Sequence, residues 1–437
     1  MDSNVIAAYR QTRALEGELG DALLELETRP GFADWNAITP AQQLLASEAE
    51  IGPGERVLIC PCGHGALGVW LAGETRADEG VLLDTNIVAV QVAQRNLGAT
   101  RSTRAWARAA LPGDVPGLFD VVLMTLPKGR DLARLYFLAA FRALRDGGRL
   151  YLAGANHGGI KSAIGDTESL FGPSTLLAYR RSNRVVQFTK EPRDEYLPEE
   201  YRVPGLEAGT YQSFDVTVQG QVYAVRTRPG VFSWRGLDPG TAMLLDNLEV
   251  RATDEVLDVG AGCGIIGLHA ARRAGTERVT LVDVDLLATE SAAETLRANA
   301  MEGVEVLLGD GVAAVADAEF SLVVSNPPFH SGHAMEGAMV QALIDEAYQV
   351  LRPRGRLVLV ANRFLPHNRS MERVFGSVET LAQNARFHVL SATKLHQRKA
   401  RGKPPRSRRR RADEETIYDE GSLRSGSRSL GRATDDG

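Results

Sequence analysis

The chain repeats itself, and that repeat limits its fold more than any other feature. Val57-Leu58-Ile59-Cys60-Pro61-Cys62-Gly63-His64-Gly65 and Val256-Leu257-Asp258-Val259-Gly260-Ala261-Gly262-Cys263-Gly264 follow one pattern at an offset of 199 residues. The same offset carries Asp84, ending Val81-Leu82-Leu83-Asp84, onto Asp283, ending Thr280-Leu281-Val282-Asp283. It also carries Ile38-Thr39-Pro40 onto Leu237-Asp238-Pro239. At slightly larger offsets Phe119-Asp120-Val121-Val122 meets Phe320-Ser321-Leu322-Val323. Likewise Leu144-Arg145-Asp146-Gly147-Gly148-Arg149-Leu150 meets Leu351-Arg352-Pro353-Arg354-Gly355-Arg356-Leu357. Order and spacing persist, so the chain is read as two copies of one fold.

Each copy alternates short apolar runs with helical periodicity. In the second copy, 256–259, 279–282, 305–308, 322–325 and 356–360 read as buried strands, with helices over 286–300 and 337–350. Such alternation predicts an α/β fold with a mostly parallel sheet covered on both faces. Right-handed crossovers then place a ligand at the carboxyl ends of the first strands. Polar–apolar alternation over 211–225 around Gln219-Gly220 predicts a hairpin leading into the second copy. The chain divides into a first copy (1–190), a linker rich in proline and acid (191–204), a second copy (205–396) and a tail (397–437) without apolar periodicity. The tail is expected to be disordered.

Charge is unevenly spread. The chain carries −5 overall, yet Lys394 onward holds 13 basic and 7 acidic residues, a net of +6, which leaves −11 for the rest. Such a basic run is either a polyanion-binding arm or a solubilising tail. No run of apolar residues is long enough to span a membrane, and Met1-Asp2-Ser3-Asn4 lacks an apolar signal core, so a cytoplasmic protein is expected. The three cysteines, Cys60, Cys62 and Cys263, form no zinc pattern, so no metal is expected and they read as buried thiols.

The loop Asp258-Val259-Gly260-Ala261-Gly262-Cys263-Gly264 follows a strand and opens a helix. Glycines at 260, 262 and 264 let the backbone turn tightly and approach a ligand. A glycine-rich loop alone is shared with nicotinamide and flavin folds. Here the spacing is GxGxG, and an acid stands two residues before it. A pyrophosphate would be repelled by that carboxylate, whereas the ammonium of a methionine moiety would be attracted. Asp283 is placed to accept from ribose hydroxyls. Asp310, in Gly309-Asp310-Gly311, either accepts from an adenine amino group or forms a turn. S-adenosyl-L-methionine is the cofactor these features suit.

Ser325-Asn326-Pro327-Pro328-Phe329-His330 ends the fourth strand beside that cleft. An exocyclic base amine is a poor nucleophile because its lone pair is delocalised into the ring. The Asn326 carboxamide oxygen and the Pro327 carbonyl can each accept one N–H, favouring a tetrahedral nitrogen with its lone pair free. Positioning accounts for most of the rest. Pro327 and Pro328 stiffen the loop and remove competing donors. Phe329 offers a stacking surface worth about 1–3 kcal/mol per base. A base within a helix would first be flipped out. His330 and His333 read as phosphate contacts or as plain surface residues.

With these motifs in place, the second copy resembles the bacterial ribosomal RNA guanine-N2 methyltransferases, the 16S small-subunit type in particular. The resemblance rests on Pro229-Gly230-Val231-Phe232-Ser233, Gly236-Leu237-Asp238-Pro239-Gly240-Thr241, the glycine loop, Asn326-Pro327-Pro328-Phe329-His330 and Ala361-Asn362-Arg363-Phe364-Leu365-Pro366. It covers nearly all of 205–395. It implies two tandem class I, Rossmann-like methyltransferase domains, the N-terminal one degenerate. It also implies methylation of the N2 amine of one guanine in ribosomal RNA or the assembled 30S subunit, by a monomer. Cofactor contacts would fall on Phe232, Asp238, Gly240, Asp258, Gly260, Gly262, Gly264 and Asp283, and the base on Asn326, Pro327, Pro328 and Phe329. The arginine-rich tail departs from the family pattern. In the first copy Ile59 replaces Asp258, Pro61 replaces Gly260, and Thr125-Leu126-Pro127 stands where Asn326-Pro327-Pro328 is expected, so no chemistry is expected there and its role would be RNA recognition and support. Asp84 remains, leaving weak cofactor binding open. The same loop serves DNA adenine-N6, protein glutamine-N5 and 23S guanine-N2 enzymes, and a ribosome-assembly factor retaining the fold is a non-enzymatic alternative.

Overall fold

The structure, a computed structural model, describes residues 9–100, 102–192, 197–327 and 333–395. In the first copy a hairpin, β1 (Arg13–Leu19) and β2 (Ala22–Thr28), precedes a seven-stranded sheet. Its strands are β3 (Arg56–Ile59), β4 (Glu79–Asp84), β5 (Ala105–Ala109), β6 (Phe119–Thr125), β7 (Leu144–Ala155), β8 (Thr175–Arg180) and β9 (Asn183–Thr189), ordered β5-β4-β3-β6-β7-β9-β8. The second copy repeats this with hairpin β10 (Gln212–Val218) and β11 (Gln221–Thr227). Its sheet holds β12 (Val256–Val259), β13 (Val279–Asp283), β14 (Glu305–Leu308), β15 (Phe320–Ser325), β16 (Leu351–Asn362), β17 (Glu379–Gln383) and β18 (Phe387–Thr393), ordered β14-β13-β12-β15-β16-β18-β17.

Five strands of each sheet run parallel, as alternation predicts, but each closes with an antiparallel pair, β9/β8 and β18/β17. The chain returns from the helix after β16, at His367–Phe375, through a hairpin that adds both strands to the far edge. Central strand β12 is buried along its whole length, as a strand covered on both faces must be.

Helix starts repeat between copies at equivalent residues. Thr39 and Asp238 cap the helices Pro40–Glu48 and Pro239–Asn247. Asn86 and Asp285 cap Ile87–Ala99 and Leu286–Ala298, and left-handed Gly65 and Gly264 open Ala66–Glu74 and Ile265–Ala274. Side-chain oxygens here satisfy amides that the helix leaves unpaired.

The copies meet through equivalent segments. Ile87 N–H donates to Val284 O at 2.9 Å, and Leu286 N–H donates to Thr85 O at 2.8 Å. Because Ile87 matches Leu286 and Thr85 matches Val284 at offset 199, the two bonds are related by a pseudo-twofold axis. Thr85 Oγ1 donates to Asp285 Oδ2 at 2.9 Å beside them. One apolar core crosses this boundary, joining Leu58, Tyr136 and Phe137 to Val231, Leu287 and Ala288. Within the segment read as a linker, Tyr201 is fully buried in the same core and donates to Asp166 O at 2.7 Å. Residues 397–437 lie outside the described residues, as do 193–196 of the linker.

Candidate active site

A cavity of about 660 Å³ opens at the carboxyl ends of β12, β13 and β15. That is the switch point of the sheet order, where neighbouring crossovers diverge. Its volume lies in the range of small-molecule sites. Phe232, Asp238, Gly260, Gly262, Asp283, Asp310, Asn326 and Pro327 lie in its wall.

Three residues expected to touch a cofactor sit behind that wall. Asp258 is fully buried beneath the glycine loop; one oxygen accepts from Gly267 N–H at 2.9 Å and the other has no partner. Burial, then the nearby Asp283 charge, pushes its pKa up to about 7. Gly264 packs on the next helix: a Cβ there would come within 2.9 Å of Ala292. Its glycine is therefore required by helix packing as well as by its φ of +80°. Gly240 is enclosed by the Asp238 carboxylate and the Phe387 ring.

Asp283 closes β13 and holds the glycine loop in place. Its Oδ2 accepts from Gly262 N–H at 2.9 Å and its Oδ1 from Asp285 N–H at 3.0 Å. Burial raises its pKa to about 6 against these bonds.

Asn326 is anchored at one end and unpartnered at the other. Its Nδ2 donates to Thr241 Oγ1 at 2.7 Å and, at 3.4 Å, to Asp238 Oδ2. Its Oδ1 is buried at the wall without a partner. Asp238 caps its helix by accepting from Thr241 N–H at 2.9 Å, so one carboxylate orders both the helix start and the carboxamide. Ser325 Oγ donates to Val259 O at 2.8 Å, tying the end of β15 to β12 just before the loop. Pro328, Phe329 and His330 lie outside the described residues, as does the side chain of His333.

The sequence reading missed the opposite wall, which belongs to the first copy. Tyr9, Arg10, Phe32, Trp35 and Lys128 face the same cavity. Residues 30–36 are the counterpart of 229–235, so the repeat, folded about its pseudo-twofold axis, was the signal available. Lys128 stands where the second copy has Phe329. It is seated by its neighbours: Asp131 pairs with Arg235 at 2.7 Å, and Leu132 packs on Gly230. Asp310 is not a bare carboxylate at a turn. Arg29 donates to its Oδ2 at 2.7 Å, and Arg10 pairs with the same oxygen.

The equivalent place in the first copy is filled. Asp84 still accepts from Gly63 and Asn86 N–H, at 3.1 and 2.9 Å. Beside it the Tyr136 side chain is buried, hydrogen-bonded to Thr85 and close to Cys60. Its counterpart in the second copy is Leu343, which lines the open cavity.

The model of the methyltransferase small domain matches this chain twice, at 24–187 and 222–391. A ribosomal RNA small subunit methyltransferase C from Pseudomonas putida (strain W619) is 36% identical over 64% of this chain and 82% of its own length. One from Hahella chejuensis is 31% identical over 81% of this chain and 98% of its own. Among solved structures, the T. thermophilus 16S rRNA N2 G1207 methyltransferase in complex with AdoMet and guanosine superposes with a TM-score of 0.74 at 32% identity, covering 89% of this chain and 99% of that one. The two matched segments, each with its own seven-stranded sheet, and this likeness over almost the whole of a relative place the chain in the methyltransferase small-domain family, among the ribosomal RNA small subunit methyltransferases C.

Proposed function

We propose that this chain transfers the methyl group of S-adenosyl-L-methionine to the exocyclic N2 amine of a guanine in 16S ribosomal RNA. The observation that carries the reading is Asn326: a buried carboxamide at the cavity wall, fixed through its nitrogen and with its oxygen unpartnered.

The cavity residues fit the cofactor. Asp283 presents a carboxylate at the end of β13, Gly260 and Gly262 leave the wall without side chains, and Asp258 keeps one unpartnered oxygen beneath them. When bound, the cofactor supplies an electrophilic methyl on a sulfonium centre. Asp283 would hold the ribose and Gly260–Gly262 the methionine portion. Asn326 Oδ1 accepts one N–H of the guanine amine, and the Pro327 carbonyl is placed on the same loop to accept the other. With both hydrogens held, the nitrogen lone pair leaves the ring system and forms the new N–C bond, the C–S electrons stay on sulfur, and the surplus amine proton leaves to solvent. An acceptor held through its other end favours this step more than a mobile water would.

Lys128 supports a part for the first copy in substrate recognition. It is an exposed cation on the cavity rim with no acidic partner among the described residues, placed to meet a backbone phosphate of the target strand. Both walls come from one chain, so the site needs no second subunit; we take the protein to act as a monomer, in the cytoplasm where its RNA substrate is made. The test is mass mapping of 16S rRNA nucleosides from a deletion strain, complemented with the parent chain or with Asn326→Ala. The N2-methylguanine signal should be absent from the deletion strain, return with the parent and stay absent with the variant. Naked 16S rRNA and assembled 30S subunits are then compared as substrates in vitro.

A further inference from the structure

The first copy reaches into the other end of the cavity, and its contacts there are the most densely bonded in the site. Arg10 is shared between two parts of the second copy. Its Nε and Nη2 donate to the two Glu346 carboxylate oxygens at 2.6 and 2.9 Å, Nη2 also donates to Asp310 O at 3.0 Å, and Nη1 pairs with Asp310 Oδ2. Arg29, buried, donates to that same Oδ2 at 2.7 Å. Glu346 lies on helix His333–Val350, which follows the Asn326 loop; Asp310 lies on the loop after β14. Arg10, Asp310 and Glu346 all line the cavity.

Two guanidiniums and two carboxylates sum to zero charge, so this end of the cavity is polar without a net field. Both arginines take the same Asp310 oxygen, which fixes the carboxylate plane and leaves Oδ1 as an acceptor. A neutral, flat heterocycle carrying an amino group suits such an end; a phosphate or an ammonium does not.

We infer that Arg10 and Arg29 of the first copy are positioning residues of the cofactor site: they hold Asp310 to accept from the adenine 6-amino group. The inference rests on S-adenosylmethionine being the occupant. It gives the first copy a role in cofactor affinity that is separate from any contact with RNA.

The test uses the full chain and calorimetric titration of S-adenosylhomocysteine and its hypoxanthine analogue, S-inosylhomocysteine, which lacks the 6-amino group. The parent should prefer the adenine compound. Arg10→Gln should weaken the adenine compound roughly tenfold, leave the hypoxanthine compound within about twofold, and so erase the preference. In turnover the loss should fall on the KM for S-adenosylmethionine and not on the KM for RNA. Lost folding alone would weaken both compounds together. Arg10→Lys, which keeps the charge but not the forked geometry, guards against an unfolded glutamine variant and should lose about half the preference on a logarithmic scale. An undiminished adenine preference in a folded Arg10 variant overturns the inference. The cofactor reading is judged separately, because it fails only if the parent chain binds neither compound.

Discussion

Replacing Asn326 with alanine removes a buried, unpartnered acceptor at the cavity wall while leaving the glycine loop and Asp283 untouched. Loss of a single preorganised hydrogen-bonding group in a catalytic site typically costs about 10²–10³ in kcat, or roughly 3–4 kcal/mol of transition-state stabilisation. Folding should suffer less. The variant loses the 2.7 Å bond to Thr241 and the longer 3.4 Å contact to Asp238, a change of about 1 kcal/mol. Thr241 keeps a 3.4 Å contact to Asp238, so its hydroxyl is not stranded. Thr241→Val is the informative companion. It keeps the carboxamide but removes its anchor, letting the acceptor turn away, and should lower kcat by about tenfold. Single-turnover methylation of 16S rRNA at saturating cofactor reads both variants, with cofactor affinity measured in parallel and expected to stay within about twofold. Near-parent turnover in Asn326→Ala would remove the carboxamide from the mechanism. Full activity in Thr241→Val would leave the carboxamide in place but show that its anchoring is irrelevant.

The buried carboxylates make the cofactor-free protein sensitive to alkali. The folded-state pKa of Asp258 is pushed up to about 7, against ~3.9 when unfolded, so its contribution to stability is complete below about pH 4 and is lost as pH rises through 7. Asp84 and Asp283, each raised to about 6, act in the same direction. The thermal midpoint of the cofactor-free chain should fall between pH 5 and 8, and less steeply in Asp258→Asn; parallel profiles would assign the slope elsewhere. Tyr136→Ala should cost about 3–5 kcal/mol in denaturant unfolding without creating a second cofactor site, because Ile59 and Pro61 still occupy the loop; a stoichiometry of two would contradict this. Lys128→Ala should raise the KM for RNA several-fold, more at low salt, with cofactor affinity unchanged; a shift in cofactor affinity instead would place the lysine on the methionine carboxylate.

The parts legible in the sequence were those whose physics is local. A buried parallel strand reads as a short apolar run, so β12 falls on the expected residues, 256–259; β14 also falls where expected, at 305–308, but as a half-buried edge strand and not a buried one. The glycine loop is legible because positive φ demands glycine at 260, 262 and 264. What such a pattern does not separate is a glycine facing a ligand from one packed against protein, and Gly264, against a helix, and Gly240, against Asp238 and Phe387, are of the second kind. The edge strand β17 went unread because Glu379–Gln383 is short and largely exposed. The Arg10–Asp310 pair spans 300 residues, and no window of sequence reports a contact of that range. Tyr136 was missed for a related reason: only beside the open space at Leu343 does an ordinary helical tyrosine become a plug.

The reciprocal bonds between Ile87 and Val284 and between Leu286 and Thr85 have the form of an isologous dimer contact, in which one patch meets itself across a twofold axis. Two identical subunits joined in this way would own two cavities, each walled by its neighbour. Joined in one polypeptide, the halves are free to differ. One half keeps its cavity open to a ligand; the other closes its own around Tyr136 and becomes the fixed wall that its partner requires. The half without a counterpart of Asn326 thus supplies part of the wall of the cavity that Asn326 lines.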